Sequence, residues 1–142
     1  MSNMKILILC TGNSCRSQMA QGFLRSFALS WTVESAGTEP SGKVNEKAIE
    51  VMKEVGIDIS HNTSDHVNKY LNNEWDYVIT VCGDAKESCP VFKGKVKNQL
   101  HIGFDDPSET IGTLDEMNSD FIRVRDQIRK AFYELYIKIK TR

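Results

Sequence analysis

Two side chains near the amino end have the types and spacing to do chemistry together. Cys10 and Arg16 flank the polar stretch Thr11-Gly12-Asn13-Ser14-Cys15; an apolar run precedes Cys10 and a helical pattern follows Arg16. A strand-to-helix loop presents backbone N–H groups and a helix N-terminus to its own concavity, so it attracts an anion before any side chain is counted. Gly12 lets the chain turn. The planar guanidinium of Arg16 can hold two oxygens of a tetrahedral oxyanion, and Thr11, Gly12, Asn13, Ser14, Cys15 and Ser17 complete a candidate oxyanion cup. At the base of that cup Cys10 is expected to favour thiolate over thiol, which makes it a nucleophile near neutral pH. Ser14 and Ser17 can donate hydrogen bonds to the sulfur or to the oxyanion. A plainer reading makes Cys10 a buried strand end and Arg16 a surface residue; the strand before and the helix after favour the catalytic one. The loop carries no Walker lysine, so a nucleotide loop does not compete.

The elements that must position these residues follow from periodicity. Apolar runs rich in β-branched residues predict strands at Lys5 to Cys10, Thr32 to Ala36, Tyr77 to Cys82 and, more weakly, Gln99 to Phe104. Helical patterns lie between them: Met19/Ala20/Phe23/Leu24/Phe27 after the first run, and Ala48/Ile49/Met52/Val55 with Gly56 as a stop after the second. Met117, Phe121, Val124, Ile128, Ala131/Phe132, Leu135 and Ile139 step by three or four and predict a long final helix packed on the sheet. Strands alternating with helices argue for an α/β fold: a four-stranded parallel sheet flanked by helices on both faces, with right-handed crossovers. Ligands bind such sheets beyond the carboxyl ends of the strands. Cys10, Cys82 and the Asp105-Asp106-Pro107 segment fall there.

Composition bounds the rest. The chain has 142 residues, 40% hydrophobic and 26% charged, with a formal net charge of -1. One domain of this size buries roughly 70% of the surface its unfolded chain exposes. No basic excess points to nucleic acid, and no run approaches a membrane span. The apolar run after Lys5 is too short for a signal-peptide core, so a cytoplasmic location is expected. There, four cysteines suit metal binding, catalysis or redox work better than a permanent disulfide frame. The spacings Cys10-x4-Cys15 and Cys82-x6-Cys89 do not match the short intervals of structural zinc sites. His61, His66 and His101 form no metal-ligand pattern with one another and read as surface or packing residues.

"CTGNSCRS" resembles the phosphate-binding loop of the low-molecular-weight protein tyrosine phosphatase fold, and the whole chain is similar to the thioredoxin-coupled arsenate reductases built on it. The resemblance continues through "ESAGTEP", "NEKAIEVMKEVGIDIS", "TSDHV", "VITVCGDAKESCP", "GFDDP" and "FIRVRDQI". Phosphate and arsenate are both tetrahedral anions, so the loop alone does not choose between hydrolysis and reduction. A phosphatase needs one thiolate, an acid and a water; a reductase must also supply two electrons, which thiols deliver by becoming a disulfide. Cys82, at the end of the third predicted strand, and Cys89, after a polar segment expected to be mobile, are the candidates for that work.

The resemblance implies a relay. Cys10 attacks arsenate held by the loop and Arg16, and Asp106, the aspartate directly before proline, protonates the departing oxygen. Cys82 then resolves the adduct by forming a disulfide with Cys10, and Cys89 takes the disulfide over to Cys82-Cys89. Because a bridge needs α-carbons within about 7 Å, the 82–89 segment must move, giving an oxidised form that thioredoxin reduces. No bound organic cofactor is implied, and the protein is expected to be a monomer. Cys15 also occurs in phosphatases of the fold and is not diagnostic. Phosphotyrosine-hydrolysing members place aromatics after Asp-Pro; here Ser108-Glu109-Thr110 follow Pro107.

Some reductases of the family bind potassium beside the loop, at positions that here are Asn13, Gln21, Ser35, Thr63 and Asp65. The pattern for a bound ion has Glu where Gln21 stands, and losing that charge weakens a hard-cation site. Three alternatives stay open at this point: a phosphatase acting on phosphotyrosine or phosphoarginine, an oxyanion-responsive redox sensor, and glutaredoxin in place of thioredoxin as reductant.

Overall fold

A computed structural model describes residues 3–141. Four strands run in parallel in the order β2-β1-β3-β4: β1 (Lys5–Cys10), β2 (Thr32–Gly37), β3 (Trp75–Thr80) and β4 (Val96–His101). The helices are α1 (Arg16–Phe27), α2 (Glu46–Lys53), the short α3 (Gly83–Glu87) and the long α4 (Leu114–Lys140). β1 is paired on both sides, which is why its sequence Ile6-Leu7-Ile8-Leu9 is a continuous apolar run with every residue buried. β4 has a neighbour on one side only and keeps mostly exposed, polar residues. The face bearing Tyr77 borders α4, whereas Val78 and Thr80 border the segment with Lys86 and Cys89. Helices thus flank both faces, as the alternating pattern predicts.

Local chemistry sets the helix ends. Asn45 accepts from the Lys47 and Ala48 amides to start α2, and Gly56, at φ 83, turns the chain after it. A capping box between Thr113 and Glu116 starts α4. The expected stripe on α4 is buried from Phe121 to Ile139, and Arg125 joins it because its guanidinium reaches the Val51 carbonyl at 2.9 Å and Glu54 at 3.1 Å. α1 departs from a simple amphipathic helix: every residue from Ser17 to Leu24 is buried, polar ones included.

Two strands are shifted from the expected positions, and β2 runs one residue further than expected, to Gly37. β3 spans Trp75–Thr80 rather than Tyr77 to Cys82, and β4 spans Val96–His101 rather than Gln99 to Phe104. The ladder starts early because the Trp75 amide pairs with the Lys95 carbonyl and Trp75 is buried. Ile102 and Phe104 pack against the core from outside the strand, so their apolar character shifted the expected end. Cys82 therefore lies beyond β3, at the N-cap of α3. Single backbone bonds still carry the parallel arrangement forward: Val81 N–H donates to Leu9, Ile102 to Thr80 and Phe104 to Val81. These hold Cys82 beside Cys10 and bring the aspartates to the same edge.

Gly37, at the end of β2, closes this edge. A Cβ there would lie 2.4 Å from the Thr11 carbonyl oxygen and 3.1 Å from Asn13. Gly37→Ala is expected to cost about 1–3 kcal/mol by overpacking, read as a lower urea midpoint, and to weaken phosphate binding because the loop must shift; an unchanged midpoint and affinity would contradict the packing.

Candidate active site

The loop from Cys10 to Arg16 is held from outside by its carbonyls. Those of Cys10, Thr11, Gly12 and Ser14 accept from the amides of Thr38, Glu39, Ser41 and Asn45 at 3.3, 2.9, 2.9 and 2.8 Å. With the carbonyls turned outward, the loop amides are turned to its concave side, the arrangement of an anion nest. Asn13 has φ 46, a left-handed conformation that Asn tolerates better than most residues. Its fully buried side chain holds that geometry: Nδ2 donates to Ser17 and to Ser35, each at 2.9 Å, and Oδ1 accepts from the Asp65 amide at 2.9 Å. The side chains of Asn13 and Ser17 thus support the loop from behind.

Arg16 reaches across the site. Its Nη1 donates to the Phe104 carbonyl at 2.9 Å and its Nη2 lies 3.4 Å from Asp106 Oδ2. Among the described residues its buried Nε has no hydrogen-bond partner. Asp106 is held in turn by the Ser108 amide and hydroxyl, at 2.9 and 2.6 Å. Asp105 faces elsewhere, exposed and 3.3 Å from Arg123. Of the two aspartates, only Asp106 is joined to the loop arginine.

Cys10 and Cys82 are both buried, all four cysteines are reduced, and the side chains of Cys10 and Cys82 are hydrogen-bonded to each other. Cys82 is drawn down to about 5, first by the hydrogen bond from Cys10, then by the Thr11 hydroxyl at 3.3 Å and by the Ala85 and Thr11 amides, against the opposing effect of burial. The Ala85 amide belongs to the first turn of α3, so the start of this helix faces the sulfur. Cys10 is raised, by that same hydrogen bond with Cys82 and by burial, which together outweigh Arg16 and the Thr11 amide. The hydrogen bond between the two sulfurs thus lowers Cys82 and raises Cys10, while Arg16 acts on Cys10 in the opposite sense. Cys15, buried inside the loop, is raised to about 12 by burial and by Asp106.

Cys89 is half-buried and its thiol is raised by burial. The segment expected to be mobile forms the single-turn α3, and Cys89 borders a cavity of about 300 Å³ with Val78, Thr80, Lys86 and Leu100. His61, His66 and His101 stand apart; His101 bonds Thr80 at 2.8 Å and His66 caps the short turn Val67–Tyr70. Among the described residues no group of three or more His, Cys, Asp or Glu converges as for a metal, and no described helix is long and apolar enough to cross a membrane.

Sequence reading missed three parts of the site. Gln18, fully buried, donates to the Asn13 carbonyl at 3.0 Å and the Thr63 carbonyl at 2.9 Å, pinning the loop to the 60–65 segment. The Thr11 hydroxyl is hydrogen-bonded to Cys82, and Gly37 makes room for the loop. The run of polar residues Ser17, Gln18 and Gln21 among apolar neighbours on one helix was the available signal.

A parallel α/β sheet with a Cys-x5-Arg anion loop at its carboxyl edge defines a thiol-based oxyanion enzyme. The low molecular weight phosphotyrosine protein phosphatase family matches residues 5–142, and the chain belongs to that family. Within it the chain falls among the arsenate reductases. It is 50% identical to the arsenate reductase of Bacillus subtilis (strain 168) over 135 residues, 94% of this chain and 96% of the relative. Among solved structures it resembles an arsenate reductase in the phosphate binding state, with a TM-score of 0.80, 34% identity and coverage of 96% of this chain and 98% of the other. An arsenate reductase in oxidized state superposes with a TM-score of 0.78 at 32% identity, covering 96% and 98%.

The hydrogen-bonded pair has a measurable consequence. Iodoacetamide alkylation of the Cys10-Cys82 pair is expected to titrate with a midpoint below that of an ordinary thiol, because the first proton leaves a thiolate that the other sulfur's hydrogen bond stabilises. In Cys82→Ser the midpoint moves up, since Cys10 then relies on Arg16 against burial. Peptide mapping assigns the alkylated sulfur, and an unmoved midpoint would contradict the pair.

Proposed function

We propose that this protein reduces arsenate to arsenite by a three-cysteine relay whose final disulfide is reduced by thioredoxin, a step of arsenic detoxification in the cytoplasm. The observation that carries the reading is the Cys10-Cys82 hydrogen bond beside the anion loop, because a hydrolase needs the first sulfur only. Similarity to arsenate reductases over nearly the whole chain supports it.

Arsenate binds in the nest, with the Arg16 fork and its partnerless Nε supplying charged donors. As the anion enters, Cys10 passes its proton to Cys82 and attacks arsenic. A sulfur–arsenic bond forms, and one oxygen leaves as water on a proton from Asp106. Cys82 gives the proton it took from Cys10 to an oxygen on arsenic, and its thiolate attacks the Cys10 sulfur. The sulfur–sulfur bond forms, the sulfur–arsenic bond breaks, and its electron pair stays on arsenic, which departs as arsenite. The Cys89 thiolate then attacks Cys82, and Cys10 leaves as a thiolate. Both oxidised sulfurs now lie in the 82–89 segment, and the two electrons have passed to arsenic.

Unwinding α3 accompanies the second exchange. A five-residue helix has little intrinsic stability, and the cavity beside Cys89 leaves room for rearrangement. Val91, 90% exposed next to Cys89 and Pro90, gives a protein dithiol an apolar contact close to the disulfide. This favours thioredoxin over a small thiol.

Steady-state arsenite production with thioredoxin, thioredoxin reductase and NADPH tests the reading. Wild type is expected to turn over, whereas Cys82→Ser and Cys89→Ser stop after at most one equivalent. Asp106→Asn should lower kcat by about 100- to 10,000-fold, the worth of a positioned acid. No arsenite from wild type, with phosphatase activity surviving in both cysteine variants, would overturn it; turnover supported by glutaredoxin and glutathione alone would overturn the choice of reductant.

A further inference from the structure

Behind the anion loop lies a polar cavity of about 210 Å³, bordered by Gln21, Arg25, Glu34, Ser35, Asp65 and Lys69. It occupies the place where the family resemblance allows a potassium ion, held through Asn13, Gln21, Ser35, Thr63 and Asp65. A hard monovalent cation needs several oxygen lone pairs aimed at one point and a negative surplus around them. The side chains here do not provide that.

The groups at those positions bond to one another and to the neighbouring backbone instead of converging on one point. Asn13 Oδ1 accepts from the Asp65 amide, and Ser35 Oγ accepts from Asn13 at 2.9 Å while donating to Gln21 Oε1 at 2.6 Å. The Thr63 hydroxyl donates to Asp65 at 2.6 Å, and the Thr63 carbonyl accepts from Gln18. Gln21 brings a donor where a carboxylate would bring charge: its Nε2 points to the Val33 carbonyl at 3.1 Å and to Glu34 at 3.5 Å. The charges also balance. The carboxylates Glu34 and Asp65 face Arg25 at 2.8 Å and Lys69 at 3.6 Å; His61 and Tyr70 are the other titratable groups on the wall, and His61 pairs outward with Asp58.

We propose that Arg25 is a positioning residue for the anion loop and that this protein sets the loop without potassium. Arg25 Nε donates to the Val33 carbonyl at 2.9 Å and Nη2 to Glu34 at 2.8 Å, so the guanidinium clamps the β2 backbone on which Ser35 sits. Val33 and Glu34 are also the acceptors of Gln21. From there the chain of bonds runs Gln21 to Ser35 to Asn13, ending at the one left-handed non-glycine residue among the described residues. The arginine thus fixes from behind the residue whose backbone shapes the nest. This goes beyond the proposed reaction and concerns oxyanion capture alone.

The test is phosphate binding by calorimetry together with Tm, in potassium chloride and in tetramethylammonium chloride at equal ionic strength. Wild type is expected to show the same Kd and Tm in both salts. Arg25→Gln should raise the phosphate Kd several-fold without a potassium effect, and Gln21→Glu/Arg25→Gln should regain affinity and Tm in potassium only. Should Arg25→Gln fail to fold, Arg25→Lys, which keeps the charge and loses the fork, should show a smaller rise in Kd in both salts. A potassium-specific shift in wild type, or folded Arg25 variants with unchanged Kd, overturns the proposal. If wild type bound no phosphate, oxyanion capture itself would fail, and the wild-type Tm comparison would still decide on potassium.

Discussion

Two buried sulfurs, hydrogen-bonded at the carboxyl edge of the sheet, one ending β1 and one just beyond β3, impose the main constraint on this molecule. Burial disfavours a thiolate, so a charge there needs fixed donors, and the fold collects them from three directions. The Thr11 side chain and amide come from the anion loop, the Ala85 amide from the start of α3, and Arg16 from the first turn of α1. All three sources lie at the carboxyl edge of the sheet because each strand there passes into a loop and then a helix. The continuation of parallel bonding past Thr80 keeps Cys82 in that edge although the strand has ended.

The support is layered. Carbonyls of the anion loop are tied to the strap at 38–45, so its amides remain for a ligand. Asn13 is held in its left-handed conformation by Ser17, Ser35 and the Asp65 amide, and Gln18 bonds both the loop and the 60–65 segment. Fixed hydrogen bonds are concentrated around Cys10 and Arg16. On the other side of Cys82 stands a helix of five residues with Cys89 half-buried after it. A densely hydrogen-bonded capture site next to a helix of five residues is the combination that the proposed relay would use.

Much of this was legible in the sequence because it rests on local pattern. The strand at Lys5 to Cys10, the polar loop and the stripe along α4 are encoded by neighbours in the chain, and they stand where periodicity put them. The ends of β3 and β4 were misplaced because ladder bonds from distant segments, not apolar character, set where pairing stops. The preference for Asp106 over Asp105 came from family resemblance; in the structure Asp106 pairs with Arg16 and Asp105 with Arg123. What was not legible depends on contacts between residues far apart: the Thr11-Cys82 bond, the clearance at Gly37 and the hydrogen bond that couples Cys82 to Cys10. The same holds for the Arg25 clamp, whose acceptors Val33 and Glu34 lie on another element.

The most direct measurement is disulfide mapping by mass spectrometry after reduced protein meets one equivalent of arsenate without any reductant. The account predicts a Cys82-Cys89 disulfide in wild type and a trapped Cys10-Cys82 disulfide in Cys89→Ser, each with one equivalent of arsenite. Wild type left fully reduced, or oxidised at Cys10-Cys15 with Cys82 and Cys89 untouched, would contradict it.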